Sequence, residues 1–130
     1  MERVGQKQLA SIAERIEQAQ ARVGDRTPTY TVVLHEAKTK LGITVTEYVL
    51  ADSVNKLSGK HSATPGWCHA SKGHMAKILG VSERSVFSLL SSLRKSGVVE
   101  QHPQHPGLLR TSALWEDTVE VLRGRLYNKR

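Results

Sequence analysis

One cysteine, one phenylalanine and no long apolar run set the first limits on this chain of 130 residues. A single thiol, Cys68, excludes an intramolecular disulfide and suits a reducing compartment. No stretch approaches the roughly 20 apolar residues that a membrane-spanning helix needs, so no membrane partner is expected. The opening MERVGQKQLASIAERIEQAQ carries charges throughout and has no apolar h-region, so the expected location is cytoplasmic, in a bacterial or archaeal cell and at its nucleoid. There is no Gly-rich phosphate loop, no nucleophile elbow and no cluster of carboxylates, and hence no expected enzyme activity or cofactor. Cys68, His69 and His74 offer at most three metal ligands at a spacing that fits no zinc pattern, and His102 and His105 lie on a Pro-interrupted segment, so no metal is expected.

Acid is also scarce. The 19 Lys and Arg outnumber 12 Asp and Glu, for a net charge of +7. The imbalance concentrates in residues 68–112, where Lys72, Lys77, Arg84, Arg94, Lys95 and Arg110 face only Glu83 and Glu100. A local basic excess of this kind is the electrostatic footprint of a nucleic-acid binder.

The same segment has the clearest pattern. In SKGHMAKILGVSERSVFSLLSSLRKSG, residues 71–97, apolar Met75, Leu79, Val81, Val86, Leu89, Leu90 and Leu93 recur at helical spacing on two short helices. Ser71 and Ser82 are placed as N-caps, Gly80 as the left-handed stop, and small Ala76 where the second helix crosses the first. With Val86 at the centre of the buried arc, Arg84, Ser88, Ser91 and Lys95 fall on the opposite side, and Ser85 and Ser92 flank it. That far face is read as lacking acids and large apolar side chains, which suits the major groove of duplex DNA.

The flanking segments give the remaining organisation. Residues 2–23 form an amphipathic stripe with Leu9, Ile12, Ala13 and Ile16, ended by Gly24 and Asp25. Residues 29–34, TYTVVL, read as a short strand that could join a hairpin as its third member. Residues 35–41 are ambiguous, one or two helical turns ending at Gly42. Thr44 opens a capping box with Glu47 and starts a helix burying Leu50, Val54 and Leu57, followed by a polar connection over residues 58–66. Residues 98–101 and 108–111 are two extended runs around HPQHPG, a β-hairpin with His102, Gln104 and His105 at its tip and Arg110 at its base. Residues 113–127 form a last amphipathic helix, with Leu114, Trp115, Thr118, Val121, Leu122 and Tyr127 placed inward.

The segments TEYVLADSVNKL and GWCHASKGHMAKILGVSERSVFSLLSSLRKSGVVE resemble the winged-helix domains of phage and plasmid replication-initiation proteins and related bacterial regulators. The resemblance covers about residues 44–112. It rests on Glu47-Tyr48, the Trp67-Cys68-His69-Ala70-Ser71 approach, Ala76, Gly80-Val81-Ser82 and Gly97-Val98-Val99. It departs in the connection 58–66 and in the serine-rich second helix. The resemblance implies a helical body that docks its second motif helix in the major groove and sets a hairpin wing beside it.

The expected fold is therefore mainly α with a small β-hairpin: an N-terminal helix in residues 1–26, a winged helix-turn-helix in 27–112 and a C-terminal helix in 113–130. The expected DNA contacts are Ser71, Lys72, Ser82, Arg84, Ser85, Ser88, Ser91, Arg94, Lys95, His102, Gln104, His105 and Arg110. Leu9, Ile12, Ile16, Leu114, Val121 and Leu122 are the expected contacts of a homodimer on double-stranded DNA, the alternative being that these terminal helices pack within one chain. The role implied is that of a transcriptional regulator or a replication or partition factor of a mobile element. The alternative is a winged helix used for protein contacts without DNA readout.

Overall fold

The computed structural model describes residue 14 and residues 27–58 and 65–128. The helix expected over residues 2–23, with Leu9, Ile12 and Ile16, lies outside the described residues, as does most of the connection 58–66. The described residues are mainly helical with one two-stranded antiparallel sheet.

Helix α1 (His35–Leu41) ends at Gly42, whose φ of 68° is the left-handed conformation that closes a helix at little cost for glycine. Helix α2 (Val45–Lys56) opens with the expected capping box. The Glu47 N–H donates to the Thr44 hydroxyl at 3.1 Å, and the Thr44 N–H donates to the Glu47 carboxylate at 2.9 Å. Burial alone would raise the Glu47 pKa. Hydrogen bonds from the Ser92 hydroxyl and from Thr44 outweigh it and hold the carboxyl below its usual value, so the box also ties α2 to the helix that carries Ser92.

Helices α3 (Lys72–Leu79) and α4 (Glu83–Lys95) are joined by the tight turn Gly80-Val81-Ser82, with Gly80 at φ 71°. Ser71 accepts the His74 N–H and Ser82 the Ser85 N–H, each at 3.1 Å, as N-caps. Strands β1 (Val99–Gln101) and β2 (Leu109–Thr111) pair with Val99 opposite Thr111 and Gln101 opposite Leu109. Leu50, Val54, Met75, Val86, Leu90 and Leu93 form the centre of one core that the hairpin closes through Val99 and Leu109.

Residues 29–34 form no strand. Tyr30 and Val32 are exposed, while Val33 and Leu34 pack on the core. The place beside β2 is taken by Cys68, whose N–H and carbonyl both bond to Leu109. The Tyr30 carbonyl is instead taken by the Lys56 ammonium, and the run meets α2 through side chains and not the sheet through a ladder. Burial beside β2 pushes the Cys68 thiol up to about 11. An unfolded chain ionises this thiol from about pH 9, whereas the folded chain holds its proton to about 11. The resulting stability is complete below pH 9 and is lost across that window. Urea titrations should show the wild type losing about 2–3 kcal/mol more than Cys68→Ala between pH 9 and 11. Parallel pH profiles for the two proteins would refute it.

The last helix begins as α5 (Ala113–Trp115), passes through a π turn (Glu116–Glu120) and continues as α6 (Val121–Asn128). Its buried line is Trp115, Val119 and Leu122, with Leu114 and Val121 exposed. Trp115 and Leu122 are inward as expected, but the face is rotated towards Val119 and away from Leu114 and Val121, with Trp115 packed at a tilt against Tyr48 of α2, ring centroids 4.9 Å apart. The Asn55 amide donates to the Glu116 carboxylate and the Thr111 hydroxyl at 2.7 and 2.8 Å, joining α2, the π turn and β2. Asp52, almost wholly buried, lies between Lys56 at 2.9 Å and Arg123 at 3.6 Å and fastens α6 to α2.

Candidate nucleic-acid interface

The caps and the apolar stripe of α4 decide which side of that helix meets water. Val86, Leu90 and Leu93 are buried, and Arg84, Ser88 and Lys95 are exposed on the opposite side. Ser85 and Ser91 are half-buried at its margins. The Ser82 and Ser85 hydroxyls lie 3.0 Å apart. A capping hydroxyl accepts a backbone N–H and still has its own hydrogen to donate, so Ser71 and Ser82 can serve as caps and as anion contacts together. Glu83 stands in the first turn, where the helix dipole favours a carboxylate, and not on the exposed basic face.

Between α4 and the hairpin lies a cleft of about 290 Å³, walled by Phe87, Leu90, Pro106 and Leu109 and carrying Lys72 and Arg94. No carboxylate lines it. Burial lowers the Lys72 pKa and the Arg94 charge adds to the lowering. A phosphate oxygen entering the cleft would compensate both cations. Arg94 donates to the Gln101 side-chain oxygen at 2.7 Å, and the Gln101 amide donates to the Pro106 carbonyl at 2.9 Å. This chain of bonds fixes the hairpin relative to the C-terminal end of α4.

At the hairpin tip Gln104 is exposed and His102 and His105 are half-buried, their rings 5.3 Å apart. The Gln104 N–H donates to His102 Nδ1 at 3.1 Å, which requires that nitrogen to carry a lone pair. His102 meets the Trp67 ring edge-on at 4.7 Å, and the Arg110 guanidinium sits 4.2 Å from the centre of that ring. Arg110 also bonds Glu100 across the strands at 2.8 Å. Its charge is therefore balanced within the hairpin, unlike those of Arg84 and Lys95, which form no ion pair among the described residues.

The structure brings Lys72 and Arg94 together with Pro106 and Gly107 of the hairpin in one cleft, Ser88, Ser91 and Lys95 in the adjoining depression, and Ser82, Arg84, Ser85 and Ser88 along a third; His102 and His105 gather instead with Trp67 and Arg110 and line none of these. Of the expected dimer contacts, Leu114 and Val121 are exposed, whereas Leu122 belongs to the chain's own core and is not available to a second copy. Phe87, absent from the sequence expectation, is 57% exposed at the margin of the basic face, which therefore does carry a large apolar side chain. Its position, one residue beyond the buried Val86 and one turn before Ser91, was the available signal. Among the described residues no group of three His, Cys, Asp or Glu side chains gathers for a metal ion.

No protein-family model matches this chain, and no curated protein or solved structure matches it at a significant level.

Proposed function

We propose that this chain is a winged helix-turn-helix protein that binds double-stranded DNA. In this reading α3 and α4 are the helix-turn-helix, α4 is the recognition helix, and the β1–β2 hairpin is the wing. The observation that carries it is the exposed side of α4, where Arg84, Ser88, Ser91 and Lys95 stand opposite the buried stripe with no carboxylate among them. Arginine and serine there can meet base edges and phosphates in the major groove, and the Lys72–Arg94 cleft can take a backbone phosphate. The chemistry proposed is binding alone, without catalysis, cofactor or metal. It suits a transcriptional regulator or a replication or partition factor of a mobile element, working at the nucleoid. A homodimer would use the stripe of Leu9, Ile12 and Ile16 with the exposed Leu114 and Val121, and would set two recognition helices on successive major grooves.

Fluorescence anisotropy with a random-sequence duplex tests the reading. The pair Arg84→Ala and Lys95→Ala, combined in one protein, should weaken binding by roughly tenfold or more while leaving the thermal midpoint nearly unchanged, because both side chains are exposed. Replacing residues 103–107 by Asn-Gly preserves the His102–Leu108 closure at 2.9 Å and should weaken binding through loss of the wing tip. Wild-type protein that fails to shift the duplex at low salt would leave the alternative, a winged helix used for protein contacts.

A further inference from the structure

Phe87 is the one large apolar side chain of α4 that the chain leaves in water, at 57% exposure. On one side it borders the cleft with Lys72, Arg94 and Pro106, and on the other a shallow depression with Ser88, Ser91 and Lys95. Neither depression is lined by a carboxylate; on the cleft side the ring meets Leu90, Pro106 and Leu109 beside the two cations, and on the other side hydroxyls and Lys95. The cations at the rim, unpaired among the described residues, favour an anionic partner, and the apolar wall favours an apolar group beside the ring. An occupant must therefore bring negative charge around its rim and an apolar group at its centre. A duplex presents that combination to a major-groove helix at one place, the C5-methyl of thymine beside the phosphate backbone.

We propose that Phe87 seats against the 5-methyl group of thymine and makes the α4 face prefer A·T pairs at the position it covers. The proposal rests on the DNA-binding reading above and adds a base preference to it. Arg84, Lys95 and the serines hold the helix in the groove through hydrogen bonds and charge, while Phe87 contributes a contact that only the methyl group can make. The hydroxyls flanking it, Ser88 and Ser91, reach the neighbouring base edges or phosphates.

The test uses alternating A–T and A–U duplexes of about 24 base pairs, alike in charge and base-pair hydrogen bonding and differing in the methyl. Wild-type protein should bind the thymine duplex about four- to fifteenfold more tightly than the uracil duplex, the gain expected from burying one or two methyl groups. Phe87→Ala should bring that ratio to about one, with an unchanged salt slope and an unchanged thermal midpoint. Cytosine and 5-methylcytosine in alternating G–C duplexes should show the same dependence on Phe87. Equal wild-type affinity for the thymine and uracil duplexes would overturn the proposal while leaving DNA binding intact. A thymine preference that survives in Phe87→Ala would overturn it too, since that preference would then reside in the shape of the DNA. Failure of the wild type to bind any of the four duplexes would remove the DNA reading itself.

Discussion

Doubling the salt concentration is expected to lower the affinity for duplex DNA by roughly twentyfold. Five cations of the α3–α4 and cleft region, Lys72, Lys77, Arg84, Arg94 and Lys95, form no ion pair among the described residues. Each phosphate neutralised releases about 0.9 of a counterion, so full engagement gives log K against log salt a slope of about −4.5. Arg84→Ala and Lys95→Ala should each make the slope shallower by about one. Arg110→Ala should leave it nearly unchanged, because Glu100 at 2.8 Å already balances that guanidinium. A steep loss of slope in Arg110→Ala would mean that the Glu100 pair opens on binding. A flat salt response in the wild type would end the reading of this face as a phosphate clamp.

Trp115→Ala should destabilise the protein by about 3–5 kcal/mol, a large part of the 5–15 kcal/mol typical of a whole domain. Trp115 is completely buried, and its ring leans on Tyr48 at 4.9 Å, so truncation leaves a cavity between α2 and the last helix. The surrounding structure cannot easily collapse into it. Asp52 with Arg123, and Asn55 with Glu116, tie the same two elements together at fixed distances. Urea unfolding followed by far-ultraviolet circular dichroism measures the loss, with Phe87→Ala as the exposed control expected to change little. A loss below about 1.5 kcal/mol would show that the last helix contributes little to closing the core.

The parts of this molecule that could be read without coordinates are those whose causes lie within one turn of the chain. Thr44 with Glu47, Ser71, Ser82 and the left-handed Gly42 and Gly80 act on backbone groups at most a few residues away, so residue type and spacing determine them. The buried stripe of α4 and the two runs of the hairpin follow equally from helical period and from the Pro/Gly tip. Everything that depended on a distant partner was decided only in three dimensions. Residues 29–34 have strand-forming side chains and no strand: Val33 and Leu34 pack on the core, the Tyr30 carbonyl meets Lys56, and it is Cys68 that pairs with Leu109. Arg110 reads as a phosphate contact in sequence and is balanced by Glu100 and stacked on Trp67 in the fold. Trp115 and Leu122 face inward as their spacing suggests, but Val119 joins them and Leu114 and Val121 are left outside, because Trp115 meets Tyr48, a contact across 67 residues of chain that no local periodicity encodes. Phe87, one residue off the buried stripe, was legible as exposed, but that it borders a cleft closed on the far side by Pro106 and Leu109 of the hairpin was decided by the fold.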